Sequence, residues 1–133
     1  MVFFSMESYG FSKQAAFPFN ETVERVKHIF ARAGFGALSD IDVQAKFREK
    51  LGREFPKYRM LGMCSPSRAF AALSADPEIG LLLPCNVVVY ERGGVVTVSA
   101  IRPKALFSVV EKEDVRLIAE EVEEIIRGVM DEL

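Results

Sequence analysis

Apolar positions recur at helical spacing in two stretches of the chain, and between them they alternate or cluster at strand spacing. Val23, Val26, Ile29, Phe30 and Ala33 fall three and four residues apart, with Glu21, Arg25, His28 and Arg32 on the opposite side. Asn20 stands where an N-cap belongs, Glu21 and Glu24 follow in the first turn, and Gly34 offers a left-handed stop. Towards the far end, Val115, Ile118, Ala119, Val122, Ile125, Ile126, Val129 and Met130 form a longer stripe backed by acids. A second long helix is therefore predicted over residues 112–130.

The strand pattern lies between and before these helices. Tyr9–Lys13 is a short first strand. Ala37–Val43 places Ser39, Ile41 and Val43 on one face and Asp40 and Asp42 on the other. Tyr58–Met63 is a third, and the valine-rich runs Asn86–Glu91 and Val95–Arg102 are joined at Arg92-Gly93-Gly94, a hairpin signal. Gln44–Leu51 reads as a short helix ended by Gly52. Ser65-Pro66 opens another over Pro66–Ser74, expected to bury Ala69, Phe70 and Leu73, and Asp76-Pro77-Glu78 repeats the cap signature for a single turn. The result is an α+β chain: a single two-layer domain over residues 1–133, with an antiparallel sheet of four to five strands. Two long helices pack on one face of that sheet, and a short helix lies between its central strands. Because Val87–Val89 is apolar on both sides, a partner subunit is expected against the other face.

Composition narrows the function classes. Half of the 133 residues are apolar and 27% are charged, as in ordinary globular chains, and the net charge of −2 sets up no field towards nucleic acid or anionic lipid. The apolar run Met1–Phe4 lacks a basic flank and is too short for a targeting core. Ile79–Tyr90 is broken by Gly80, Pro84 and Asn86, so no membrane partner is expected. From Lys46 to Arg59 basic residues alternate with Phe47, Phe55 and Tyr58, a pattern that can grip nucleic acid. The acids of the last helix are expected to answer that charge instead, so no nucleic-acid partner is expected. His28 is expected on a solvated helix face, and one histidine cannot build a metal centre. No cofactor is implied.

Two cysteines do not make a disulfide framework, and reduced thiols in the cytoplasm are the expectation. Cys64 ends the strand Tyr58–Met63 and Cys85 begins the strand Asn86–Glu91. If those strands pair antiparallel, the thiols meet at one corner of the sheet, with Cα atoms about 5–10 Å apart. Cys64 also precedes a helix N-cap and lies one turn from Arg68, both of which favour thiolate. The pair then serves either as a redox-active or soft-ligand site, or as two small buried hydrophobes. No Cys-x-x-Cys or phosphate-loop spacing is present.

Asp42, Lys50-Leu51-Gly52, Tyr58-Arg59-Met60-Leu61-Gly62-Met63-Cys64-Ser65-Pro66 and Leu82-Leu83-Pro84-Cys85-Asn86-Val87 together resemble domain-of-unknown-function family 302 over nearly the whole chain. The resemblance implies a TATA-binding-protein-like α+β fold and a homodimer, and it brings no established activity. Ser65 stands where many relatives carry asparagine. The leading expectation is a small-molecule or soft-ligand binding accessory protein, related to thiol or sulfur chemistry. Its site comprises Cys64 and Cys85 with Asn86, Lys50, Asp42 and Arg68 nearby. The alternatives are a homodimeric interaction or structural module without chemistry and, last, an acid–base enzyme using Asp40 and Asp42. No catalytic residue is assigned, because no nucleophile–base–orienter set can be assembled.

Overall fold

The alternating stretches pair into one antiparallel sheet. The computed structural model describes residues 5–6 and 9–133, so the apolar run Met1–Phe4 lies outside the described residues. Its strands are β1 (Ser5–Met6), β2 (Gly10–Gln14), β3 (Gly36–Asp42), β4 (Tyr58–Cys64), β5 (Cys85–Arg92) and β6 (Val95–Ile101), in spatial order β1-β2-β6-β5-β4-β3. The five longer strands are those expected, and the two-residue β1 extends the β2 edge. β5 and β6 are joined by Gly93 and Gly94 at φ 57° and 79°. That pair of positive angles is what a two-residue hairpin of right-handed twist demands, and glycine adopts it without steric cost.

The helices are α1 (Phe19–Arg32), α2 (Val43–Leu51), α3 (Pro66–Ala75), the short α4 (Pro103–Leu106) and α5 (Glu113–Asp131). α1 and α5 cover one face of the sheet. Phe11, Leu61, Val87, Val89 and Val98 from the strands meet Val23, Val26 and Phe30 of α1 and Val122 and Ile126 of α5 in one core. Each such side chain, fully withdrawn from water, stabilises the fold by roughly 1.5–3 kcal/mol before conformational entropy is subtracted. A second cluster of Ala72, Ile79 and Val115, with Leu83, Phe107 and Ile118, seats α3 beside α5.

Three local expectations change. α1 begins at Phe19, so Asn20 lies inside the first turn, and no side chain caps it. Thr22 Oγ1 instead donates to the carbonyls of Phe17 and Pro18 at 3.1 and 2.9 Å. Val43 starts α2 rather than ending β3, because the Asp42 side chain accepts from the Ala45 N–H at 2.9 Å and caps the helix. On α3 it is Ala72 that is buried, while Phe70 and Leu73 are 75% and 40% exposed. Arg68 and Ala72 turn towards α5, and Phe70 sits about 200° round from each, so docking through the small side sends the large ring outward. The basic stretch is also answered locally: Lys46 pairs with Glu49, Arg48 with Glu54 and Arg59 with Asp40.

The other face of the sheet is open among the described residues. One row runs Ser12, Ser99, Val88, Met60 and Ile41 across five strands, and Tyr58 stacks on Tyr90 beside it, centroids 5.7 Å apart. Gly62 belongs to this face. A Cβ there would lie 2.4 Å from Ser39 Oγ and 2.6 Å from Pro84 Cγ, so only glycine lets the residue before Cys85 close over the strand.

Candidate functional site

The corner where β4 ends and β5 begins is fixed by backbone pairing. Gly62 lies opposite Asn86 and Met63 opposite Cys85, and Cys64 is one residue further on. A cross-strand neighbour plus one step along the strand puts the two cysteine Cα atoms roughly 6 Å apart. Met63 and Cys85, being directly opposed, project into the same helix-covered layer. Both thiols are free, with Cys85 buried and Cys64 half-buried. Both residues border a partly open cavity of about 40 Å³, walled by Met63, Ser65, Arg68 and Leu83, with Ala119 and Val122 of α5 across it.

α3 rises from this corner. Ser65 is its N-cap residue and Pro66 follows at the first helical position, where a missing N–H costs nothing. Ser65 Oγ does not cap the helix. It accepts from Arg68 Nη1 at 3.1 Å, while Arg68 Nε donates to Glu121 of α5 at 2.7 Å. The guanidinium thus pins α3 to α5 at the rim of the cavity.

This geometry decides the protonation of the thiols against the sequence expectation. A helix N-terminus favours an anion by about 0.3–1 kcal/mol, less than one pKa unit. Burial pushes Cys85 up from its ordinary value to about 11, reinforced by the neighbouring Cys64, and burial also raises Cys64. Arg68, expected to draw out thiolate, is already engaged by Glu121. Desolvation wins, and the corner holds two neutral thiols.

The other expected site residues divide. Arg68 lines the cavity with the cysteines. Asn86 does not: one residue along from Cys85, it points through the sheet to the open face, beside Tyr58, Val88 and Tyr90. Asp42 pairs with Arg59, five residues up β4 from Cys64 and so about 17 Å away, where it caps α2. Lys50 stands exposed near the end of α2, at the same remote end. Antiparallel pairing explains both placements: Gly36, not Asp42, is the β3 residue beside Cys64. Asp40 is held by Lys27 at 2.6 Å and by Arg59, whose hydrogen bond brings its carboxyl down to about 2. It is a fixed anion with no proton to exchange near neutrality. His28 is exposed on α1.

Met63 is the cavity residue that sequence reading passes over. The signal was available in principle: once Tyr58–Met63 and Asn86–Glu91 are paired in antiparallel register, the residue facing Cys85 is a third sulfur. Among the described residues no group of three or more His, Cys, Asp or Glu is arranged to hold a metal.

A family profile described as "Domain of unknown function DUF302" matches residues 11–133. The chain belongs to this family. DUF302 is likewise named for a solved relative, the crystal structure of an uncharacterised conserved protein from Bacillus stearothermophilus. The two are 28% identical, with a TM-score of 0.85 over 92% of this chain and 95% of that one. The fold of this DUF302 chain, an antiparallel sheet with helices on one face, is therefore shared. Comparison with curated proteins finds no match. No helix among the described residues is long and apolar enough to cross a membrane.

Proposed function

We propose that this DUF302 protein is an accessory protein that binds a small soft ligand in the thiol-lined cavity at the β4–β5 corner. The observation that carries this reading is the pocket itself: Cys64 and Cys85, twenty-one residues apart, both border one partly open space of about 40 Å³. A water needs roughly 10–15 Å³ measured the same way, so the inner part of the space takes a few atoms. Its walls offer sulfur and hydrocarbon, with one guanidinium at the rim. No carboxylate or imidazole lines it, so the reading assigns binding rather than acid–base catalysis. Reduced thiols fit a cytoplasmic setting.

Native mass spectrometry of protein purified without chelator or reductant tests the reading. Added mass of a metal, sulfur atom or small molecule is expected on the wild type and is lost in Cys64→Ser and Cys85→Ser. Added mass that persists in both variants overturns it.

A second reading, a homodimer formed through the open sheet face, is favoured by one feature. The rows Ser12-Ser99-Val88-Met60-Ile41 and Gln14-Thr97-Tyr90-Tyr58 carry no charge, so two copies can meet there without repulsion although each bears −2. Light scattering should give twice the chain mass, and Val88→Glu should return it to one. A wild-type monomer at high micromolar concentration refutes the dimer.

A further inference from the structure

We infer that the end of the sheet where β4 begins and β5 ends binds a nucleoside phosphate, its ring against Phe55, Tyr58 and Tyr90 and its phosphate on Arg92. The site stands apart from the thiol corner: Tyr58 is six residues down β4 from Cys64, roughly 20 Å away. Four rings run in contact from α2 onto the sheet. Phe47 meets Phe55 edge-on at 4.9 Å, Phe55 leans on Tyr58 at 6.2 Å, and Tyr58 stacks on Tyr90 at 5.7 Å. The first two rings anchor α2, which buries no side chain of its own. Among the described residues the series ends at Tyr90. An open cleft of about 440 Å³ borders it, walled by Phe55, Pro56, Tyr58, Tyr90 and Arg92.

The charge at this end is only partly answered within the chain. Lys46, Arg48 and Arg59 have acidic partners, whereas Lys50, Arg53, Lys57 and Arg92 form no salt bridge among the described residues. Strand alternation sorts the charges that border the cleft. Arg92 lies two residues beyond Tyr90 and shares its face, while Glu91 is opposite buried Val96 and belongs to the helix-covered side. Lys57, the other cation of the lining, holds its ammonium 5.9 Å from the Phe19 ring centroid on that covered side. Arg92 thus brings an unanswered positive charge to the open side, with Lys57 and Glu91 offsetting one another behind it. A guanidinium fork pairs with phosphate oxygens through parallel N–H···O bonds, and ring walls accept a base by stacking or edge contact. A bare anion would leave those walls unused, and a neutral ring would leave Arg92 without a partner, so the ligand carries both. Size agrees: ligand clefts span about 300–1,000 Å³, room for a ring, a sugar and a phosphate.

Titration of the intact, isotope-labelled chain with adenosine monophosphate, followed by amide chemical shifts, tests the site. Saturable shifts are expected at Tyr58, Tyr90 and Arg92 and none at Cys64 or Cys85, with a Kd below about 1 mM. Adenosine and inorganic phosphate each carry half of the ligand's chemistry and should bind about tenfold more weakly or worse. Arg92 is exposed at the strand end, so Arg92→Gln leaves the fold intact and should reduce the nucleotide to the affinity of adenosine. Tyr90→Leu should weaken it about fivefold or more through lost stacking. Shifts that fail to saturate by about 10 mM nucleotide overturn the site. So does phosphate that binds as tightly as the nucleotide, or wild-type affinity in Arg92→Gln. The cleft shares its face with the dimer of the second reading, so the titration is repeated on Val88→Glu. Binding by that variant but not by the wild type means that a second copy covers the rings, and it too overturns the site.

Discussion

Alkylation of Cys85 as a function of pH follows directly from its burial. The side chain is 6% exposed, and its thiol is pushed up to about 11, chiefly by loss of water. A free thiol near 8.5 is about one quarter ionised at pH 8, and one at 11 about 0.1%, a deficit of roughly 200-fold in thiolate. The more basic thiolate is the stronger nucleophile, with a Brønsted slope of about 0.4–0.5, which recovers roughly tenfold over this interval. Cys85 should therefore react about twentyfold more slowly than glutathione at pH 8, and more slowly still if the probe enters with difficulty. The experiment uses Cys64→Ser, so that only Cys85 reacts, with iodoacetamide in excess and mass readout from pH 7 to 11. The logarithm of the rate should climb with unit slope through pH 10 and bend only near 11. Removing Cys64 should lower that bend slightly, since its neighbour contributes less than burial does. A plateau beginning between pH 8 and 9 would refute the reasoning whatever the absolute rate, because restricted access slows a reaction without moving its inflection.

Four further predictions concern stability. Gly62→Ala drives a methyl into Ser39 and the Pro84 ring, so it should cost about 2 kcal/mol in urea denaturation with unchanged slope, and an unmoved midpoint refutes the contact. Glu123 is buried, accepts from the Lys104 N–H at 3.0 Å and pairs with Arg102 at 3.4 Å. Glu123→Ala should destabilise by about 3 kcal/mol and Glu123→Gln by less, and equal losses would show that its charge is idle. Asp40 titrates near 2 in the fold and near 3.8 in its ordinary state. Its contribution is complete above about pH 4 and is lost as pH falls towards 2; with solvent screening it amounts to about 1 kcal/mol. Asp40→Asn should flatten that acid limb in denaturation curves from pH 5 to 2. Cys85 acts at the alkaline end: the unfolded chain ionises first, so stability should fall by about 2–3 kcal/mol between pH 9 and 11, a loss absent from Cys85→Ala.

The sheet was legible because side-chain period and turn chemistry agree. Val87 and Val89 against Val96 and Val98, with two glycines between the strands, admit one register, and that register carries Leu61 and Met63 into line. Long helices were equally plain, since a stripe such as Val115 to Met130 has one place to go. Short helices were not. The nine residues of α2 bury none of their side chains, and α3 buries Ala72 alone, so periodicity had little to report about which way either faces. Asn20 illustrates the limit at helix ends: a good capping residue gives way when the chain before it, Phe17-Pro18, is already turned into the helix and Phe19 must reach the core.

The candidate site shows the same division between what pairing dictates and what burial dictates. That Cys64 and Cys85 meet follows from strand order alone, because a connection leaving one strand end must return beside it. Membership beyond the cysteines depends on which side of the pleat a residue takes and which end of its strand it occupies. Asn86 fails on the first count and Asp42 on the second, while Met63 satisfies both. The chemistry then turns on a comparison of magnitudes. A helix end offers less than one pKa unit towards thiolate, whereas enclosure beneath α3 and α5 moves Cys85 about two units the other way. A corner built for nucleophilic catalysis would expose its sulfur to the helix N-terminus and keep it in reach of water. This one buries Cys85 against hydrocarbon, an arrangement that suppresses free thiolate.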